Sequence, residues 1–131
     1  MIALDTNVLI RLLIEDDADQ LSKALRVLEP HWESGGKAYV TDVVLAETEW
    51  VLDSLYRAPR AEILATFHAL ASDARFELQD RRLVLEALRR YQVGKADLSD
   101  HLIGLAGIAA NANTTLTFDR TLRADPSFHV L

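Results

Sequence analysis

The chain has 131 residues, half of them apolar, with 14 Lys and Arg against 20 Asp and Glu, a formal charge of −6. This length and composition predict one globular domain over residues 1–131 and argue against a disordered chain. Cysteine is absent, which excludes disulfides, thiolate zinc sites and cysteine nucleophiles.

The acidic charge makes the chain a poor non-specific binder of nucleic acid. A nucleic-acid function would therefore need a local site that bound cations help to form. No apolar run is long enough for a membrane span, and Asp5 interrupts the first run before a signal-peptide core could form. We therefore expect a cytoplasmic protein without membrane association.

Predicted strands and helices alternate along the chain. The strands cover 2–4, 38–41, 76–78, 114–118 and 128–131, and the helices cover 21–28, 43–56, 60–72, 81–93 and 98–111. Strands that alternate with helices need crossover connections. The sequence therefore predicts an α/β fold with a mostly parallel sheet of four to five strands.

Acidic residues directly follow two of the predicted strands. Asp5 follows the strand over 2–4, and Asp119 follows the strand over 114–118. In open α/β sheets, ligands bind outside the carboxyl ends of the strands. A single Asp at such a position is usually a turn residue, but two in one small chain favour a ligand site at this sheet edge.

Glu47 differs from the other acids of the helix over 43–56. The side of this helix that carries Glu49 is rich in i,i+4 charged pairs, and we expect it to face solvent. Glu47 falls on the other side, between Val43 and Trp50. A carboxylate among apolar neighbours is costly unless it is paired or bound to a metal, so Glu47 is either a candidate site residue or a buried, partnered one.

A further pair of acids, Asp97 and Asp100, precedes a helix of small apolar residues. Asp97 is expected to cap this helix, and the helix dipole favours Asp100 in its first turn. Capping does not require so apolar a helix, which makes Asp100 the stronger candidate site residue. Gly104 and Gly107 would let the helix approach the sheet closely.

Acidic side chains without His or Cys suit a hard cation with oxygen ligands, Mg²⁺ or Mn²⁺. Such an ion can activate water as a nucleophile and stabilise the oxyanion that leaves when a phosphodiester bond is cleaved. No serine or cysteine nucleophile is then needed. Divalent ions would also offset the acidic charge of the chain where a phosphate binds.

Four short motifs, spread over nearly the whole chain, resemble those of PIN-domain ribonucleases, in particular the VapC toxins of VapBC toxin–antitoxin pairs. The motifs are IALDTNVLI at 2–10, VVLAETEWVL at 43–52, ADLSDHLI at 96–103 and LTFDR at 116–120. The resemblance places Asp5, Glu47, Asp100 and Asp119 at the acidic catalytic positions. It implies an endoribonuclease that depends on Mg²⁺ or Mn²⁺ and has a sheet sandwiched by helices. It also implies a homodimer and inhibition by a cognate VapB-type antitoxin.

The same resemblance suggests roles for residues next to the acids. Metal ligands would be Asp5, Asp100 and Asp119, with Asp97 as a frequent companion. Thr6 and Thr117 match hydroxyls that orient the neighbouring acids, and Asn7 matches a polar site position. His101 stands where a small residue is more usual; it is either a partnered or surface histidine or a residue that affects substrate access.

The densest basic patch consists of Arg81, Arg82, Arg89, Arg90 and Lys95. Glu86 lies four residues from both Arg82 and Arg90, so ion pairs on a solvated helix face explain the patch. The functional alternative is a phosphate track that leads toward Asp97 and Asp100.

Two other function classes remain alternatives. A catalytically silent PIN-like binding module would need a lost acid, and none is lost. A receiver-type signalling domain expects paired acids after the first strand and a Lys after a late one, whereas Asp5 stands alone and Asp119 ends the late strand. Metal-dependent RNA cleavage would separate the nuclease from both.

Overall fold

The computed structural model describes residues 1–131 as alternating strands and helices. In chain order the elements are β1 (Ile2–Ala3), α1 (Thr6–Leu13), α2 (Ala18–Glu33), β2 (Ala38–Val40), α3 (Asp42–Ser54), α4 (Arg60–Ser72), β3 (Phe76–Leu78), α5 (Arg81–Val93), α6 (Leu98–Ala109), β4 (Thr115–Thr117), a 3-10 turn (Arg120–Leu122) and β5 (Phe128–Val130). The helices predicted over 60–72 and 81–93 are confirmed with the same bounds. None of the helices combines the length and apolar character needed to cross a membrane.

Helix α1 is absent from the elements predicted from the sequence. It begins at Asp5, whose Oδ1 accepts a hydrogen bond of 2.7 Å from the N–H of Thr6. Its buried side carries Leu9 and Ile10. On the other side, the polar residues Asn7 and Arg11 lie one helical turn apart. The helical pattern is therefore present, but it spans only eight residues and directly follows a strand.

All strand pairing is parallel, as predicted. β2 lies between β1 and β3, with Ile2 opposite Ala38 and Tyr39 opposite Glu77. β4 pairs with β5, with Thr115 opposite Phe128. The five strands thus belong to a three-stranded and a two-stranded sheet, and strands of two or three residues each contribute only a few ladder hydrogen bonds.

The chain divides into two compact units, an N-terminal unit of Met1–Arg81 and a C-terminal unit of Arg82–Leu131. The fully buried apolar side chains of the N-terminal unit include Leu9, Val40, Leu45 and Phe67, and those of the C-terminal unit include Val84, Leu88, Leu98 and Leu122. A single domain over residues 1–131 stays a prediction.

Close packing of α6 in the C-terminal unit depends on two glycines. A Cβ at Gly104 would lie 2.5 Å from Cε2 of Phe128, and one at Gly107 would lie 2.9 Å from Oγ1 of Thr115. Both distances are too short for a real side chain. The predicted close approach is therefore confirmed, and it packs the middle and the end of α6 against the β4–β5 pair.

Candidate active site

In the N-terminal unit, the first motif and Glu47 are joined by Thr6. The Oδ1 of Asp5 accepts the hydrogen bond from the N–H of Thr6 that starts α1. The hydroxyl of Thr6, a residue only 8% exposed, donates a hydrogen bond of 2.8 Å to Oε2 of Glu47. Asp5 and Glu47 are themselves exposed. The buried hydroxyl of Thr6 therefore orients the carboxylate of Glu47, and the N–H of the same residue binds the carboxylate of Asp5.

The two glutamates of α3 have the reverse of the predicted burial. Glu49 is 6% exposed, whereas Glu47 is exposed. The two lie about 200° apart around the helix, so a helix buried on one face only cannot bury both. The buried face is the one that carries Leu45 and Leu52, and Glu49 lies on it. The prediction that Glu47 is surrounded by buried apolar side chains, with Glu49 facing solvent, is wrong.

Asn7 follows Thr6 on α1 and is exposed. It lines a groove of about 560 Å³ in the N-terminal unit, together with Arg11 and apolar side chains of β1 and α2. Its side chain is therefore accessible to a ligand, and it lies one helical turn from Arg11, which lines the same groove.

In the C-terminal unit, Asp97 and Asp100 form the start of α6. Asp97 is the N-cap, as predicted, and its N–H donates a hydrogen bond of 3.0 Å to Oδ2 of Asp100. Burial raises the pKa of Asp100, and the neighbouring charges of Asp97 and Asp119 raise it further. Asp100 is thus a half-buried carboxylate whose ionised form is disfavoured by its surroundings.

Asp119 is held by two threonines at the end of β4. Its N–H donates a hydrogen bond of 3.0 Å to Oγ1 of Thr117. Its Oδ1 accepts one of 2.7 Å from the hydroxyl of Thr121 and one of 2.9 Å from the Thr121 N–H. These bonds from Thr121 lower the pKa of Asp119. Thr121 is not among the predicted site residues, although an Asp that accepts from the N–H two residues on is a common turn signal.

The four candidate catalytic carboxylates share one feature. In each, one oxygen accepts a hydrogen bond from the chain. The residues are Asp5, Glu47, Asp100 and Asp119. A carboxylate oriented through one oxygen keeps the lone pairs of the other for a cation, and an all-oxygen donor set suits Mg²⁺ or Mn²⁺.

The structure contains no group of three or more His, Asp or Glu side chains placed to hold one metal ion. It joins Asp5 to Glu47 through Thr6 in the N-terminal unit, and it couples Asp97, Asp100 and Asp119 electrostatically in the C-terminal unit. The convergence of all four catalytic acids on one pocket stays a prediction.

His101 is a partnered, buried histidine, one of the two readings predicted. Only 4% of it is exposed, and its Nδ1 lies 3.0 Å from Oδ2 of Asp125. Asp125 also accepts hydrogen bonds of 2.9 Å from Arg90 and 2.8 Å from the N–H of Ser127. The sequence analysis did not single out Asp125, because nothing local marks a partner that lies 24 residues away.

The basic patch is partly an ion-paired helix face. Glu86 pairs with Arg90 as predicted, but its other partner is Arg89 and not Arg82. The hydrogen bonds from Arg89 and Arg90 lower the pKa of Glu86 to about 2. Arg81 lies elsewhere, with its Nε donating to the carbonyl of Ala71.

Comparison with protein families gives one match. The model of the PIN domain matches residues 2–124. A search of the curated proteins found no match. The matched range contains all four acidic motifs, so every candidate ligand from Asp5 to Asp119 lies within it.

Proposed function

Because the chain belongs to the PIN-domain family, whose members are in general nucleases that use divalent metal ions, we propose that it is an endoribonuclease dependent on Mg²⁺ or Mn²⁺. It hydrolyses phosphodiester bonds of RNA with a metal-activated water. It acts as the toxin of a type II toxin–antitoxin pair, in the manner of the VapC proteins that its motifs resemble.

The observation that carries the proposal is the hydrogen bond between the first two motifs. The hydroxyl of Thr6 donates to Oε2 of Glu47, and the N–H of the same residue donates to Oδ1 of Asp5. Helix capping explains the bond to Asp5, but it does not explain a buried hydroxyl that orients an exposed glutamate 41 positions further along the chain. The charge on Asp100 is disfavoured by burial and by Asp97 and Asp119, and a bound cation would relieve this.

The chain's own residues would act as follows. Asp5, Asp100 and Asp119, with Asp97 beside them, would hold the metal. A bound Mg²⁺ or Mn²⁺ supplies an activated water and stabilises the leaving oxyanion. Three hydroxyls fix the geometry in advance, because Thr6 orients Glu47 while Thr117 and Thr121 orient Asp119. Such preorganisation keeps the acids in place during the reaction.

A homodimer and an antitoxin are the proposed protein partners. Val43 and Trp50 lie two turns apart on one side of α3, and they are 67% and 61% exposed. Leu55, which follows the helix, is also 67% exposed. Large exposed apolar surfaces usually mark protein interfaces. We assign this surface to the second copy of the chain, which would then border Glu47 on the same side of α3 without covering it. We propose a cytoplasmic location for the dimer.

The test is RNA cleavage by the purified protein with Mn²⁺ and with EDTA. We expect cleavage with Mn²⁺ only, and none from Asp5→Asn. The matched control is Asp53→Asn, which removes an exposed acid of α3 outside the motifs and should cleave like the parent. Binding of RNA without cleavage would instead identify a silent PIN-like module. A short neighbouring reading frame for a DNA-binding fold with a disordered tail would support the toxin role.

A further inference from the structure

The C-terminal unit contains a cavity of about 290 Å³ that the proposed metal ligands do not line. We call it the His101 pocket, and its polar lining consists of Arg89, Arg90, Lys95, His101, Thr121 and Asp125. It adjoins both metal-ligand motifs of this unit. His101 directly follows Asp100, and Thr121 holds Asp119 by two hydrogen bonds.

His101 has one satisfied and one unsatisfied nitrogen. Nδ1 lies 3.0 Å from a carboxylate oxygen of Asp125. That oxygen accepts, so Nδ1 carries the proton, and in the neutral ring Nε2 holds the lone pair. Nε2 is buried and has no hydrogen-bond partner. Buried polar atoms of this kind are rare in native proteins, and a functional role or a bound water or ion is the usual reason for one.

Nε2 lies next to the pocket wall at Gly94. A Cβ added to Gly94 would be 3.8 Å from Nε2, and Gly94 itself lines the pocket. Gly94 therefore lies close to Nε2 at the wall of the cavity. Because Nε2 is buried, binding of a ligand to it requires an outward shift of the turn at 94–95.

The pocket is positively charged although the chain as a whole is acidic. Lys95 is exposed and has no ion-pair partner. Arg89 pairs only with Glu86, which does not line the pocket. The one acid of the lining, Asp125, is already engaged by Arg90 and His101. The net charge favours an anion, and the unpartnered acceptor favours a ligand that also carries a hydroxyl.

We propose that the His101 pocket binds one ribonucleotide of the RNA substrate, next to the scissile phosphate. Lys95 and Arg89 face its phosphate, and Nε2 of His101 accepts a hydrogen bond from the ribose 2′-hydroxyl. That hydroxyl is the group that distinguishes RNA from DNA, so His101 is a specificity-determining residue. The inference rests on the proposed nuclease function.

The experiment measures binding of a short fluorescein-labelled RNA and of the DNA with the same sequence, by anisotropy in EDTA. The parent should bind the RNA about fivefold more tightly, the contribution of one hydrogen bond. His101→Asn keeps an amide that can donate to Asp125 but removes Nε2, so it should weaken RNA binding to the level of DNA and leave DNA binding unchanged.

Lys95→Gln should weaken RNA and DNA equally. It should also reduce the slope of log K against log salt concentration by about 0.7, the value for one phosphate contact on a single strand. Arg82→Gln is the charge-matched control, since Arg82 is exposed on α5 and does not line the pocket. It should change neither the affinities nor the RNA preference.

A measurement on the parent protein does not depend on the folding of a variant. In ¹⁵N-histidine-labelled protein, the Nε2 resonance of His101 should shift when the RNA is added and not when the DNA is added. If the parent cleaves RNA with Mn²⁺ but the resonance is unmoved and both pocket variants bind like the parent, the pocket proposal is wrong and the nuclease stands. A parent that neither binds nor cleaves RNA overturns both. RNA-selective binding without cleavage supports the pocket and overturns the nuclease.

Discussion

The hydroxyl of Thr6 donates a hydrogen bond of 2.8 Å to Oε2 of Glu47, a residue 41 positions further along the chain. Thr6 follows Asp5 directly, and its N–H donates to Oδ1 of that residue. One residue therefore orients two carboxylates of different motifs. Thr6 itself is buried, whereas both carboxylates are exposed. Its buried N–H and hydroxyl therefore orient the two exposed acids.

Thr6→Val is predicted to reduce RNA cleavage about 100-fold, because a small displacement of an oriented group is enough for a loss of that size. Valine keeps the shape of threonine and removes only the donor to Glu47. Thr6→Ser restores the donor and should retain most of the activity. Cleavage rates in Mn²⁺ and thermal melts of both variants provide the check. Equal activity of Val and Ser would contradict the role of the hydroxyl.

Asp97 and Asp100 are predicted to differ in function although they share one helix start. Asp100→Asn should abolish cleavage, since the amide loses the charge that a metal ligand needs. Asp97→Asn should leave measurable activity, because Asn is as good an N-cap as Asp. Single-turnover cleavage by the two variants measures the difference. Complete loss from both would show that Asp97 is as essential as Asp100.

Asp100 and Asp119 are predicted to have opposite effects on the stability of the metal-free protein. The pKa of Asp100 is raised by burial and neighbouring acids, so the folded protein loses stability as the pH rises from the ordinary value of 3.8 through the raised one. Asp100→Asn should therefore melt at or above the parent at neutral pH. The pKa of Asp119 is lowered by Thr121, so Asp119→Asn should melt slightly below the parent.

Mn²⁺ should raise the melting temperature of the parent, because it binds only the folded state. The gain is about 10 °C at a concentration of about 100 times Kd, for a chain of this length. Asp100→Asn and Asp119→Asn should each gain less, and the control Asp53→Asn should gain as much as the parent. Melts with and without Mn²⁺ measure these gains. Equal gains in all four proteins would place the ion elsewhere.

The ion pairs of Glu86 with Arg89 and Arg90 are predicted to stabilise the folded protein at acidic pH. The pKa of Glu86 is lowered from 4.5 to about 2, so its contribution is complete above 4.5 and is lost as the pH falls toward about 2. Exposed pairs are screened, and the effect is at most about 1 kcal/mol. The melting temperature of Glu86→Gln should fall less than that of the parent over this range. Glu62→Gln, at an exposed acid of α4, is the control.

The exposed apolar side of α3 is predicted to form a dimer interface. Trp50→Lys should shift the mass in light scattering from twice 14.6 kDa to 14.6 kDa, because a lysine ammonium is costly to bury. Glu62→Lys adds the same side chain at an exposed position of α4 and should leave the dimer intact. A monomeric parent at tens of micromolar would contradict the assignment.

Features with local causes could be predicted from the sequence. The helices over 60–72 and 81–93 follow from their pattern of residues, and the N-cap at Asp97 follows from a rule of the first helical turn. The glycines of α6 mark a close approach that the structure contains. The short helix α1 has the same kind of local pattern, but it spans only eight residues, and a strand and a capping Asp precede it without a turn, so the pattern alone does not predict it.

Features with distant causes could not be predicted. Helical geometry places Glu47 and Glu49 on opposite sides of α3, yet it does not say which side the rest of the protein covers. In the same way, nothing near His101 in the sequence indicates its bond to Asp125, and nothing near Thr6 indicates its bond to Glu47. Each of these depends on which elements pack against each other.

The sequence by itself determined the acids, their order along the chain and their positions at the ends of strands and the starts of helices, because capping, periodicity and strand ends act over a few residues. Only the tertiary structure decided the burial of Glu49 in place of Glu47, the buried hydroxyl that orients Glu47 and the unpartnered nitrogen of His101. The reason is that burial and hydrogen bonding between distant residues depend on packing, and packing depends on the whole chain at once.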